Sequence, residues 1–307
     1  MPEQTPTPRF SVIVPSFNRR DTIGPTLESL RAQTMQDFEL VVVDDGSTDG
    51  TEEYVKEFGF DDLHYHWQTN AGPAAARNKG AELARAEYLA FIDTGDVAKP
   101  DWLASFDKMI RAYGCSFVSC AGDFTRAGRP IGQVSPKRLG PGSGRVVALW
   151  RTGCFAVRRG LFLEVGGFDP VLWFSEVTEF GMRLGQSISG QPGVITHITR
   201  SLVAVELPLE EGRGGRAQSL AYSDRRRLET AQYILEKHER VMNATPRLRQ
   251  IYLHICGVAY ARLGDYAEAR RFFWQAWLSK PSTVRELARL AVAFVPAVAK
   301  RVWSPSE

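Results

Sequence analysis

The first hundred residues alternate short apolar runs with stretches whose apolar positions have helical spacing. Phe10-Ser-Val-Ile-Val-Pro15 is β-branched and lacks polar alternation, which suits a strand buried on both faces. Asp21 to Thr34 predicts a helix with Ile23, Leu27 and Leu30 on one face. Phe38 to Val43 is a second buried strand and Thr51 to Phe58 a helix. Leu63 to Trp67 alternates and predicts a third strand, Ala74 to Arg85 an Ala-rich helix, and Tyr88 to Ile92 a fourth strand. Strands and helices alternating at this pace imply βαβ units and a parallel sheet. A ligand site then belongs beyond the carboxyl ends of the strands. Polar residues gather there: Ser16-Phe17-Asn18, Asp44-Asp45, Asn70 and Asp93.

Farther on, residues 122–145, rich in Gly, Arg and Pro, predict a loop or short hairpin. Trp150 to Val157 predicts a strand, and Arg159 to Glu164 a short helix stopped by Gly166-Gly167. Glu176 to Gln186 predicts another helix. The pattern divides the chain into a disordered tail (1–8), an α/β domain (9–207), a flexible linker (208–217) and a small all-α domain (218–307). Within the last, Leu253, Cys256, Gly257, Tyr260, Gly264, Tyr266, Ala269, Phe273, Ala276 and Pro281 fall where a tetratricopeptide repeat places them. One such repeat cannot bury its face alone, so Asp224 to Val241 is expected to pack on it. Plain packing and a partner-binding surface both fit this region. Val284 to Trp303 combines Leu287, Leu290, Phe294, Val295 and Val298 with Arg285, Arg289, Lys300 and Arg301. It reads as a cap for the repeat, interrupted at Pro296, or as a basic apolar helix in peripheral contact with a membrane.

Composition narrows the classes. Of 307 residues, 44% are hydrophobic and 24% charged, which excludes wholesale disorder. The net charge of +3 is too small to argue for nucleic acid as the main partner. Four scattered cysteines without a CxxC pair speak against a disulfide scaffold or zinc site and fit a reducing, cytoplasmic setting. The first ten residues have no apolar core of a signal peptide, and no apolar run approaches 18 residues.

Asp44-Asp45-Gly-Ser-Thr-Asp-Gly50 closes one strand and opens a helix. Its carboxylates can accept hydrogen bonds from a nucleobase or ribose, while Ser47 or Thr48 can serve as a helix cap. Asn70 to Gly80 supplies backbone N–H groups at a helix start, which favours an anion, with Arg77 one turn on. The same pattern also describes a well-capped helix with an exposed Arg.

In order, Phe10 to Asn18, Asp44 to Thr51, Asn70 to Gly80, Phe91-Ile-Asp93-Thr-Gly-Asp96 and Val165-Gly-Gly-Phe-Asp169 resemble the family 2 glycosyltransferases over about residues 9–205. The resemblance implies a GT-A fold, a nucleotide-sugar donor and inverting transfer of a sugar to a glycan or lipid-linked acceptor, with Mg²⁺ or Mn²⁺. By the same resemblance, Pro15, Phe17, Asn18, Asp44, Asp45, Asn70, Arg77, Asn78 and Asp93 form the nucleotide-sugar pocket. Asp93 and Asp96 are left to hold the metal, because Gly95 stands where the family's second ligating carboxylate falls. Asp96 can instead cap the helix near Pro100-Asp101-Trp102.

The base motif also departs from the pattern. In Ser175-Glu176-Val177-Thr178-Glu179-Phe180, valine occupies the position of the usual base. Glu176 is the nearest substitute and Glu179 the next; the plain alternatives are a surface charge and a helix-start charge. His197 lies on an expected strand and is assigned to structure. An alternative function follows from these departures: a catalytically degenerate donor-binding protein whose helical tail docks a partner. A dinucleotide enzyme is excluded, since Pro15-Ser-Phe-Asn-Arg-Arg20 lacks Gly-x-Gly-x-x-Gly.

Overall fold

The structure is a computed structural model that describes residues 7–126, 128–138, 147–148, 151–188, 195–206, 216–281, 284–295, 298 and 301–302. Described residues up to Glu206 form one compact unit and those from Arg216 a second. Most of the expected tail and linker lies outside the described residues. Of the positions that are described, Pro8 is buried, and Arg216 and Ala217 belong to a helix.

The first unit runs β1 (Phe10–Ser16), α1 (Gly24–Arg31), β2 (Phe38–Asp44), α2 (Thr51–Phe58), β3 (Leu63–Trp67), α3 (Pro73–Leu83) and β4 (Tyr88–Phe91). It continues through β5 (Val97–Ala98), α4 (Trp102–Tyr113), β6 (Phe117–Arg126), β7 (Arg129–Val134), β8 (Lys137–Arg138) and β9 (Val147–Ala148). It closes with β10 (Phe155–Arg158), α5 (Arg159–Glu164), α6 (Glu176–Ser187) and β11 (Ile195–Glu206). The main sheet has the order β3-β2-β1-β4-β10-β6-β11-β5, with β7 pairing on β6. Its first four strands are parallel. Strand β10 then runs antiparallel to both β4 and β6, so the sheet is mixed beyond β4.

Every residue of β1 and β2 is buried, as their unbroken apolar runs require. Alternate residues feed two separate cores. Phe10, Val12 and Val14 meet Leu27 and Leu30 of α1 and Trp102 and Phe106 of α4. Ile13 faces the other side with Phe91, Phe162, Phe168 and Phe180. Burying each such side chain contributes roughly 1.5–3 kcal/mol. The Ala-rich composition of α3 has a steric origin: a Cβ at Gly80 would stand 2.5 Å from Ile13 Cγ2. The helix lies too close to β1 for larger residues on that face.

Three boundaries differ from the expected ones. Helix α1 starts at Gly24 because the N–H groups of Thr22 and Ile23 fold back onto the Arg19 carbonyl. Within 122–145, expected as a loop or short hairpin, Gly122 to Arg126 pair with Arg129 to Val134, and the strand that carries the first of these segments already begins at Phe117. The strand expected from Trp150 begins only at Phe155; Arg151 to Cys154 form turns, with Cys154 N–H donating to the Arg151 carbonyl.

The second unit is helical: α7 (Arg216–Lys237), α8 (Glu239–Ala244), α9 (Pro246–Arg262), α10 (Tyr266–Ser279) and α11 (Val284–Ala293). The helix expected from Asp224 to Val241 is divided at His238. Helices α9 and α10 approach at the small residues: a Cβ at Gly257 would meet the Phe273 ring at 2.6 Å. Asp265 caps α10 by accepting the Glu268 N–H at 3.1 Å. Among the described residues no helix is long and apolar enough to cross a membrane.

Candidate active site at the strand ends

Beyond the carboxyl ends of β1, β2 and β4 lies a hollow of about 320 Å³. Six of the residues expected in the pocket line it: Pro15, Phe17, Asp45, Asn70, Arg77 and Asp93. Arg19, Gly72, Thr94 and Trp173 complete the relevant wall.

Asp45 leaves β2 on the hollow's side. Its Oδ1 accepts the Gln68 amide at 2.8 Å and the Ala71 N–H at 2.9 Å, and its Oδ2 accepts the Gly72 N–H at 2.8 Å. This carboxylate therefore shapes the loop before α3. The N–H groups of residues 71 and 72, which the sequence offered to a phosphate, are taken by Asp45. Its Oδ2 keeps lone-pair capacity for a ligand donor.

Arg77 is nearly fully buried between two acids. Its Nη2 donates to Asp93 Oδ1 at 2.7 Å and its Nη1 to Glu176 Oε1 at 2.8 Å. Burial works against its charge, but the two carboxylates outweigh this and hold its pKa above the ordinary value. Asp93 remains 36% exposed and also accepts the Thr152 hydroxyl at 2.5 Å. Burial opposes its ionisation, yet Arg77 and Thr152 pull its pKa below the usual range.

Asp96 behaves differently. Its Oδ1 accepts the Glu206 N–H at 3.2 Å, while its Oδ2 is buried without a partner. Burial first, and the Asp93 charge second, push its pKa up to about 8. Capping of the next helix is excluded, because Asp101 holds that position at the start of α4. Thr26 fixes the intervening turn: its hydroxyl donates to the Asp96 carbonyl at 2.8 Å and accepts the Gly95 N–H at 2.9 Å. Gly95 has φ +97°, and nothing stands within 4 Å of where its Cβ would be.

Four expected site residues are engaged elsewhere. Asp44, the last residue of β2, directly precedes Asp45 and so points to the opposite side of the strand. It accepts the Ser47 N–H at 2.7 Å and the Tyr65 hydroxyl. Burial and this carboxylate raise the Tyr65 pKa. Asn18, at φ 51°, accepts the Thr48 N–H at 2.9 Å and fastens two loops together. Asn78 clamps Phe168 twice, donating to its carbonyl at 2.7 Å and accepting its N–H at 2.8 Å. Glu179 is wholly buried and accepts Arg183 Nε at 2.8 Å, while Arg183 also donates to the Val165 and Gly167 carbonyls. Through Arg183 it ties the Gly166-Gly167 corner to α6, away from the hollow's lining.

Glu176 opens α6 and reaches Arg77; Val177 beside it is buried in the core with Phe180 and Leu184. No motif in the sequence pointed to Arg151, whose charge acts on Asp93, or to Thr152 or Trp173. Reading 150–157 as a strand hid the turn that delivers Thr152 to Asp93. Trp173 packs on Gly72, whose absent Cβ would lie 3.5 Å from the indole. A second acidic group, Glu39, Asp62 and His64, surrounds the start of β2 rather than its end. Arg85 already bridges its two acids, at 2.8 Å to Glu39 and to Asp62 as well.

Residues 11–163 match the family model described as Glycosyl transferase family 2. Through these residues, just under half its length, the chain carries a glycosyltransferase family 2 domain. The putative glycosyltransferase EpsH of Bacillus subtilis is 38% identical over 131 residues, 41% of this chain and 37% of EpsH. The putative teichuronic acid biosynthesis glycosyltransferase TuaG of the same organism is 38% identical over 113 residues, 36% of this chain and 45% of TuaG. The chain thus matches less than half the length of these relatives. Among solved structures, residues 1–349 of S. aureus TarS share the fold with a TM-score of 0.62 at 19% identity, over 96% of this chain and 90% of that one. The mannosyltransferase PcManGT of Pyrobaculum calidifontis, solved with GDP-Man and Mn²⁺, gives 0.53 at 21% identity, over 97% and 84%. The first unit has the GT-A fold.

Near the hollow, Asp93 and Asp96 would fit a divalent cation. The unpartnered Asp96 Oδ2 lies in the field of Asp93, beside the open space at Gly95. Two carboxylates suffice for a hard cation that takes its remaining oxygen ligands from a diphosphate and water.

Proposed function

We propose that the hollow binds a nucleotide-sugar and that the protein transfers the hexosyl group, with inversion, to a glycan or lipid-linked acceptor in polysaccharide synthesis. The observation that carries this reading is the convergence of Asp45, Arg77 and Asp93 on one hollow beyond the parallel strands. Such a hollow can hold the nucleoside between the Pro15-Phe17 turn and the loop shaped by Asp45, with the diphosphate directed toward Asp93. Asp93 and Asp96 would hold Mg²⁺ or Mn²⁺. When bound, the cation supplies Lewis-acid stabilisation of the departing nucleoside diphosphate.

Within the chain, Arg77 and Thr152 keep the Asp93 carboxylate ionised and oriented. Glu176 is the residue we assign to take the proton from the acceptor hydroxyl as it attacks the anomeric carbon; Val177 cannot. Arg77 positions Glu176 by donating to its Oε1 at 2.8 Å.

The buried valine at 177 and the engagement of Glu176 by Arg77 favour a second reading: a donor-binding protein without turnover, whose helical unit engages a partner. One experiment separates the two. The protein is incubated with a panel of nucleotide sugars, Mn²⁺ and glycan acceptors, and nucleoside diphosphate release is followed beside calorimetric titration of each donor. Release from one donor establishes transfer. Binding without release establishes the second reading, and the absence of both removes both.

A further inference from the structure

The two units differ sharply in charge. Residues 216–307 carry 16 Lys and Arg against 8 Asp and Glu, a net of +8, whereas residues 1–215 carry 22 against 27, a net of −5. The basic unit also exposes large apolar side chains that its own helices leave uncovered. Trp274 and Leu278, one turn apart on α10, are 46% and 53% exposed. On α11 and just after it, Leu287 is 40% and Phe294 64% exposed; Val298 follows at 44%.

These positions are linked rather than scattered. The Arg270 guanidinium, one turn before Trp274, lies 5.1 Å from the Phe294 ring centroid and donates to the Ala293 carbonyl at 3.2 Å. Arg270 thereby joins the α10 stripe to the end of α11. On the same helix Ala293 and Leu290 already pack with Ala269 and Phe273, which seats α11 against α10 and leaves Leu287 and Phe294 at the border of that contact. Arg271 and Arg301 are exposed.

We infer that the face formed by α10, α11 and the residues after it docks on an anionic lipid surface. Aromatic and aliphatic side chains enter the headgroup boundary while the basic residues meet the anionic lipids. The charge balance selects this occupant. A second copy of the unit would bring +8 against +8, which like-charge repulsion opposes. A nucleic acid would use the basic residues but leave the apolar ones in water.

The test is co-sedimentation of the full chain with vesicles of phosphatidylcholine alone or mixed with phosphatidylglycerol. Wild type is expected to pellet with the mixed vesicles and to be released by salt. L278S/F294S is expected to bind about tenfold more weakly per apolar side chain removed. R271E/R301E, whose exposed positions carry little folding risk, is expected to lose about fivefold per residue. Unchanged thermal melts accompany both. Wild type that stays in solution with mixed vesicles, or variants that pellet like wild type, would overturn the inference. So would self-association in sedimentation velocity, or a shift on duplex DNA, with no vesicle binding.

Discussion

The guanidinium of Arg77 sits between Asp93, 2.7 Å from Nη2, and Glu176, 2.8 Å from Nη1. One side chain thus couples the end of β4 to the start of α6, and it does so while nearly excluded from water. Removing one partner from a buried ionic group typically costs about 3–5 kcal/mol, because a charge is left uncompensated. Arg77→Ala strands two carboxylates and is expected to lower urea stability by that order. Arg77→Lys can serve only one acid at a time. It should keep the fold, with a midpoint nearer wild type, but lose most donor turnover.

Glu176 and Glu179 make a paired control. If Glu176 takes the acceptor proton, Glu176→Gln lowers kcat by about 10²–10⁴ with little change in donor KM. Glu179→Gln should instead lower the melting temperature through its broken ion pair with Arg183 and leave kcat per folded molecule nearly unchanged. Equal kcat in wild type and Glu176→Gln removes the assignment.

Asp96 sets a pH dependence. Its folded pKa of about 8 is above the ordinary carboxylate value of 3.8, so the folded state binds the proton more tightly than the unfolded state. The stability it contributes is present below pH 4 and declines as pH rises toward 8. In chelator, Asp96→Asn is expected to melt higher than wild type, by a few degrees near pH 8, and to converge with it near pH 4. The same variant should need more Mn²⁺ for donor binding by calorimetry. A melting difference that does not vary with pH would count against the raised pKa.

Close approach at Gly80 is a packing test with no site chemistry in it. The 2.5 Å clash of an added methyl with Ile13 predicts that Gly80→Ala destabilises by about 1–3 kcal/mol. Ile13→Val beside it should recover part of the loss in denaturant midpoints, since the clashing atom belongs to the Ile13 side chain.

The sheet core was legible because β1, β2 and β4 are buried on both faces, and their unbroken apolar runs admit few other readings. The hollow was legible for a related reason. In a parallel sheet every strand end comes to the same edge, so Pro15, Asp45 and Asp93 converge as soon as the strands are assigned. The direction of single side chains was not legible. Asp44 and Asp45 are chemically identical neighbours, and only the pleat sends one to the hollow and the other to Tyr65. Asn78 looks like a pocket residue until Phe168, 90 positions away, takes up its amide.

Local order and hydrophobic period are written along the chain, so the sequence by itself determined the alternation of elements, the strand-end location of the site and the small-residue contacts of the helical unit. Partner choice among polar groups depends on residues far apart in sequence. Only the tertiary structure therefore decided that Arg77 is a bridge between Asp93 and Glu176, that Glu179 belongs to Arg183, and that Asp96 keeps a buried oxygen without a partner.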